Sequence, residues 1–322
     1  MVVFELIDNR DSWNKEIQKY NNYNPYQQYE WGEYKKKLGW KVASIKANDN
    51  GKIAYLQITY KKKFNVFLGW CIGSIAGDVT SFHKDNLIDF INKTFNTKYV
   101  LIKSNFTNIL EFEESISLYS SKWTKASKKI SVDYTIYVDL KNSYEDLLAN
   151  CSNNFRKNVK RGYSKNLDIE VKTLGEYNEE EISQLFLRFK EIKDVPLPNL
   201  DEIKKIKENL SKSIVIATSK IDNEIVGLRA FLYLGHKALD FWATTDSIGR
   251  NNYTSYVLLF ELFKKAKELG ITEYDMTGID PLNNQSVYSF KNGLRAKKVE
   301  KLGEWELSNS KLLSFLINKI YL

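Results

Sequence analysis

The chain has 322 residues, near twice a common domain length, so two domains are expected and neither needs disulfides or metals to be stable. Its two cysteines, Cys71 and Cys151, stand apart and outside any C-x-x-C spacing. Its two histidines, His83 and His236, lie in no H-E-x-x-H context, so disulfide scaffolds and metal centres are excluded as organising features. A formal net charge of +8, from 48 basic and 40 acidic residues, implies attraction for polyanions without naming one: nucleic acid, a phosphorylated cofactor, a nucleotide-linked substrate or anionic lipid headgroups.

The opening Met-Val-Val-Phe-Glu has neither a basic leader nor a long apolar stretch, and so does not read as a signal peptide. No segment reaches 18 apolar residues, and the most apolar run, Phe64–Gly77, reads as a buried strand and turn rather than a membrane span. A cytoplasmic protein is the expectation.

In chain order, Val42–Lys46 and Ile53–Tyr60 read as strands joined through Asn48-Asp49-Asn50-Gly51, where Asn-Gly is a strong hairpin signal. A third strand follows at Asn65–Cys71, then a helix at Lys84–Phe95 and a strand at Tyr99–Asn105. The second half repeats the plan. Ser213–Lys220 and Ile225–Leu234 flank Asp222-Asn223, followed by a strand at Ala238–Thr244, a helix at Tyr253–Leu269 and a strand at Ile271–Met276. The fold class expected is therefore mixed α/β, built by duplication of one mixed-sheet domain. Domain limits are set at 1–141 and 142–311, with 312–322 a short terminal helix.

Tyr144–Lys165 reads as one helix beginning after Ser143, with Glu145 and Asp146 in its first turn. Its apolar stripe is Leu147, Leu148, Cys151, Phe155 and Val159. Arg156 and Lys160, four apart, share another face, as do Lys157 and Arg161, an arrangement served either by solvent or by a phosphate. Val195-Pro196-Leu197-Pro198 interrupts the helices that follow, because two prolines so close cannot continue a helix. The loop Ile248-Gly249-Arg250-Asn251-Asn252 feeds a helix N-terminus, a place where main-chain N–H groups can hold pyrophosphate, although it is neither G-x-G-x-x-G nor a Walker A loop. The terminal stripe of Leu312, Leu313, Leu316 and Ile320 suits packing on the body, with a peripheral membrane contact as the lesser alternative.

The richest stretch is Ile271–Gly293, in which a short strand ends in Gly278 and Asp280–Pro281 and is followed by Phe290–Lys291. Polar and aromatic residues just past the C-terminal end of a strand are where open sheets bind ligands. Taken alone, Phe290 reads as core and Lys291 as a solvated surface lysine; the duplicated architecture and the second basic cluster are what raise the functional reading.

Three segments resemble the Fem family of peptidoglycan interpeptide-bridge aminoacyltransferases: QYEWGEYKKKLGW at Gln28–Trp40, FRKNVKRGYSKNLDIEV at Phe155–Val171, and YDMTGIDP followed by FKNGLRAKKVEKLGEWE near the C-terminus. The resemblance implies two tandem N-acetyltransferase-like domains. It also implies an amine attacking an activated ester, with aminoacyl-tRNA as donor, no permanently bound cofactor, and a nucleotide- or lipid-linked peptidoglycan precursor as acceptor. The short Pro196–Leu210 region is similar to the armless type, which lacks a coiled-coil insertion. Where the family has an aromatic-Gly pair after its lysine, this chain has Gly293-Leu294-Arg295.

By the resemblance, Lys291 neutralises charge at the transferred ester and Phe290 holds its stem. Lys35, beside Trp31, and Arg156, with Lys160 in reserve, hold the acceptor's phosphates. Asp275 and Asp280 stand at the same strand end to take a proton or orient the amine, with a turn-capping role the other reading for Asp275. Two other classes stay open: an acyl-CoA N-acyltransferase with Gly249, Arg250, Asn251 and Asn252 over the pyrophosphate, and a non-catalytic tRNA- or polymer-binding protein on the same fold.

Overall fold

A computed structural model describes residues 2–192 and 197–320. Val195 and Pro196, read as part of a loop, lie outside them, as do Tyr321 and Leu322, read from the sequence as part of a terminal helix. The chain divides into two compact units, Met1–Asp133 with Val299–Leu322, and Tyr134–Lys298.

Unit 1 opens with strand β1 (Val2–Leu6), helix α1 (Arg10–Ile17) and helix α2 (Tyr29–Lys37). Strands β2 (Lys41–Asp49) and β3 (Lys52–Lys63) pair antiparallel across Asn50 and Gly51, whose φ values of 51° and 91° are the left-handed geometry a two-residue hairpin needs. The chain continues through β4 (Val66–Ile72), β5 (Ala76–Gly77), α3 (Lys84–Phe95), β6 (Tyr99–Ile109), α4 (Phe112–Ser120) and β7 (Thr124–Lys125). Helix α3 covers one sheet face with Leu87, Ile88 and Ile91, closing a core with Ile45, Leu56, Ile58, Phe67 and Ile102.

Unit 2 follows with β8 (Tyr134–Asp139), α5 (Tyr144–Asn150), α6 (Asn153–Tyr163), β9 (Asp168–Thr173), α7 (Glu179–Ile192) and α8 (Leu200–Leu210). The single helix expected over Tyr144–Lys165 is therefore two. The break falls at Cys151–Ser152, where Ser152 turns extended, caps α6 by accepting the Phe155 N–H, and donates its own N–H to the Gly293 carbonyl. Next come β10 (Ile214–Ile221), β11 (Glu224–Leu234), β12 (Lys237–Thr245), α9 (Ser247–Asn251), α10 (Thr254–Glu268), β13 (Glu273–Asp275) and α11 (Gln285–Asn292). Asp222 and Asn223 make the β10–β11 turn with φ of 51° and 66°, matching the first hairpin. Helix α10 buries Leu258, Leu259 and Phe263 against Val215, Ala217 and Tyr274.

The chain then returns to unit 1 with β14 (Lys297–Ser308) and α12 (Lys311–Ile320). The sheet order in unit 1 is β1-β2-β3-β4-β6-β14, and in unit 2 it is β9-β10-β11-β12-β13-β8. Every neighbour in both is antiparallel except β4–β6 and β12–β13, which are parallel. Strands β2 and β10 hold equivalent positions, so the duplicated mixed α/β fold read from the sequence is present. The expected limits assign all of 142–311 to the second domain. In the structure β8 lies with unit 2 and most of β14 with unit 1, because β14 hydrogen-bonds to β6 from Lys301 to Ser308.

Candidate functional site

The two sheets differ at one place. In unit 1, β4 and β6 stay paired from Val66↔Tyr99 to Ile72↔Asn105. In unit 2, β12 pairs with β13 only from Lys237↔Glu273 to Leu239↔Asp275, while β12 runs on to Thr245. Past β13 the chain follows β8 instead, with the Met276 N–H on the Ile136 carbonyl and the Ile279 N–H on that of Tyr134. A bulge at Phe241 turns β12 further: Phe231 faces Asp240, yet Ala230 faces Trp242. A cavity of about 400 Å³ lies here, lined among others by Arg229, Asp240, Thr244, Tyr256, Phe290 and Lys291.

Its most polar component is a buried ion pair. Arg229 Nη2 donates to both Asp240 oxygens at 2.9 and 2.8 Å, with side chains 5 % and 7 % exposed. The guanidinium also sits 5.1 Å from the centre of the Phe290 ring. Phe290 in turn packs on Phe155 and Tyr256 at 5.4 and 5.0 Å between centroids.

Lys291 is buried, and its ammonium donates to the carbonyls of Met276 at 2.5 Å and Gly278 at 3.1 Å. It is thus a cation clamped on the turn that follows β13, where Thr277 has a φ of 57°. Lys291 and Phe290 both line the cavity. The two aspartates of that strand end do other work. Asp275 is buried, accepting from Thr135 Oγ1 at 2.5 Å and the Thr277 N–H at 2.7 Å. Asp280 accepts the N–H groups of Leu282 and Asn283 and the Asn283 amide, and these bonds hold its carboxyl below the usual carboxylate range. Both cap turns, and Asp280 is poorly suited to take a proton.

The loop before α10 is closed on itself. Gly249 N–H bonds the Asp246 carboxylate, and the N–H groups of Arg250, Asn252 and Tyr253 bond the carbonyls of Asp246, Ile248 and Arg250. Gly249 sits against the sheet, since an added Cβ would come within 2.3 Å of the Val226 carbonyl oxygen. The loop residues Gly249, Arg250, Asn251 and Asn252 therefore form the short helix α9 and its C-terminal end, and of these Arg250 lines the cavity. Tyr253, at φ 59°, leads into α10, which has no side-chain cap.

Of the residues expected to hold the acceptor, Lys35 lies on α2 with its ammonium 5.0 Å from the Trp31 ring and 5.2 Å from that of Tyr34; Trp31 itself is buried. Arg156 donates through Nη1 to the carbonyls of Ala149 and Cys151 at 2.7 and 2.6 Å, tying α5 to α6. Lys160, Lys157 and Arg161 are exposed on α6, and Arg161 stacks over Tyr253 at 5.6 Å. Sequence reasoning missed Arg229 and Asp240. The signal was present, as each is a lone charge inside an apolar run, in VGLRAFLYL and ALDFWATT, where an unpaired charge would not be buried.

Among the described residues no helix is long and apolar enough to cross a membrane, and no cluster of metal-binding side chains occurs. No curated protein matches the chain. Its fold is similar to that of solved FemX, with a TM-score of 0.80 at 14 % identity over 98 % of this chain and 100 % of that one. It is also similar to L-PGS from Bacillus licheniformis (TM-score 0.60, 14 % identity, 97 % and 96 % covered). A tandem GNAT protein from the clavulanic acid biosynthesis pathway gives 0.58 at 8 % identity, with 96 % and 99 % covered. At these identities the structures establish the tandem N-acetyltransferase-like fold, while in sequence residues 197–321, which carry most of the cavity lining, match the FemAB family. Residues 197–321 are thus similar in sequence to the FemAB family, and the chain as a whole shares the fold of FemX.

Proposed function

We propose that the chain transfers an amino acid from aminoacyl-tRNA to an amine of a peptidoglycan precursor, with the unit 2 cavity as the donor site. The observation that carries this reading is the cavity where β12 leaves β13, holding Lys291, Phe290 and the Arg229–Asp240 pair within FemAB-family sequence. The reaction forms an amide bond from the acceptor nitrogen to the acyl carbon and breaks the ester to the ribose, whose oxygen takes up the proton that the amine loses. What this needs is alignment and a cation near the developing oxyanion, and the buried Lys291 supplies positive charge beside the cavity, the charge of Arg229 being matched by Asp240. Lys291 also holds the 276–278 turn, so its role includes positioning.

The N–H groups of Gly249, Arg250, Asn252 and Tyr253 are used within the loop, so the pyrophosphate of an acyl-CoA would have to rest on the uncapped start of α10, and the choice of tRNA as donor is left to experiment. For the acceptor, Lys35 beside Trp31 supplies a cation on unit 1. On α6 the exposed Lys160 suits a phosphate better than Arg156, whose guanidinium is engaged with two carbonyls. The reaction would take place in the cytoplasm.

Single-turnover transfer to a nucleotide-linked muropeptide, with aminoacyl-tRNA and acetyl-CoA as competing donors, tests this. Transfer from the tRNA alone is expected. Transfer from acetyl-CoA alone would overturn the donor assignment, and no transfer from either would return the protein to the binding class.

A further inference from the structure

One end of the unit 1 sheet carries a feature that transfer chemistry does not use. There β3 ends in Lys61, Lys62 and Lys63, a two-residue turn follows, and β4 begins. The first turn residue is Phe64, which is 84 % exposed and has a φ of 51°. A bulky residue in the left-handed region is strained, and Asn or Gly would fill the place at less cost. The strain and the exposure both act against Phe64 unless the ring has a partner outside the fold. Lys63 lies over that ring at 5.8 Å, and the neighbouring β6 starts with Lys98 over the exposed Tyr99 at 5.5 Å.

Helix α12 begins at the same end. The Asn309 amide bonds the Lys98 carbonyl, and the Ser308 hydroxyl bonds that of Val100. From there α12 exposes Lys311, Leu312 (67 %) and Phe315 (62 %), while Ser314 and Asn318 anchor its other face on Glu306. The three segments 61–66, 98–101 and 309–316 contain five lysines and no acidic residue.

We propose that this end of unit 1 docks on an anionic lipid bilayer, with Phe64, Leu312 and Phe315 entering the headgroup–acyl boundary and the lysines meeting lipid phosphates. Charge complementarity selects an anionic surface. Aliphatic and aromatic side chains standing proud of a lysine rim select a bilayer over a nucleic acid, because Leu312 gives RNA nothing to stack on. This assignment stands independently of the donor chemistry.

The test is co-sedimentation of the whole chain with vesicles of phosphatidylcholine alone or mixed equally with phosphatidylglycerol. Binding to the mixed vesicles only is expected. Phe64→Ser with Phe315→Ser should weaken it by about tenfold or more, as should Lys62→Glu with Lys63→Glu, with unchanged circular dichroism. The proposal is overturned if the wild type ignores anionic vesicles, or if the double serine variant binds them as the wild type does. It is equally overturned if the lysine changes abolish binding to a short RNA while leaving vesicle binding intact.

Discussion

Arg229 and Asp240 test the site at the scale of single residues. Each is buried with the other as its charge partner, so Asp240→Leu leaves a guanidinium stranded against Phe290, and the expected loss is about 3–5 kcal/mol, the usual cost of breaking a buried pair from one side. Urea denaturation measures it, and a loss below about 1 kcal/mol would mean that water reaches the pair. Lys291→Met is the complementary change, because it keeps most of the stem and removes the cation. The saturated single-turnover rate should fall by roughly 10²–10³ with smaller effects on substrate affinity, as for loss of one strong transition-state contact. A purely structural clamp on the Met276 and Gly278 carbonyls would instead lower stability and leave the saturated rate near normal. Lys291 was legible because Phe-Lys follows a strand and a Gly-Asp turn at family spacing. Its carbonyl partners were not, since where an ammonium lands depends on the path of the 276–278 turn. Arg156 shows the same limit: a basic residue on a polar helix face is readable, but its two carbonyl partners exist only because the helix breaks at Ser152.

At the scale of elements, close approach explains what the hydrophobic pattern could not. The hairpins were readable because Asn-Gly and Asp-Asn state their own backbone geometry, and α10 because its apolar period is long. The α6–α10 contact depends instead on Gly162, where an added Cβ would stand 2.4 Å from Val257 Cγ2 and 3.2 Å from the Tyr253 carbonyl. Gly162→Ala must push the two helices apart, with an expected cost of about 1–3 kcal/mol by overpacking, offset in part by the better helix propensity of alanine. Thermal unfolding gives the total. Because Tyr253 precedes α10 beside the cavity, transfer should weaken as well, whereas a variant as stable and active as the wild type would show that Val257 yields freely. The break between α5 and α6 was missed because Ser152 reads as a tolerable helix residue. What ends α5 is a cap on the next helix together with a bond to Gly293, far away in sequence.

At the scale of the whole molecule, the two sheets exchange their last strands in chain order: β8 follows the body of unit 1 but completes the sheet of unit 2, and β14 follows the body of unit 2 but completes that of unit 1. Strand counting along the sequence could not show this, since nothing in the pattern of either strand names its partner. The consequence is that residues 1–133 do not make a domain alone. They lack Trp305, Leu302 and Leu307, all buried in the unit 1 core, and Glu304, whose carboxylate accepts the N–H groups of Ile130 and Ser131. Loss of the tryptophan alone is worth about 3–5 kcal/mol, comparable to the stability of a small domain, and β6 would be left as a bare hydrophobic edge. Asp133 and Lys301 are already adjacent, the Lys301 N–H bonding the Asp133 carbonyl at 2.7 Å. A chain joining 1–133 to 299–322 through a short glycine-serine linker should therefore unfold cooperatively in urea and show slow amide exchange in β4 and β6. Residues 1–133 alone should show neither. Cooperative unfolding of the unjoined fragment would mean that β14 decorates a sheet already complete without it.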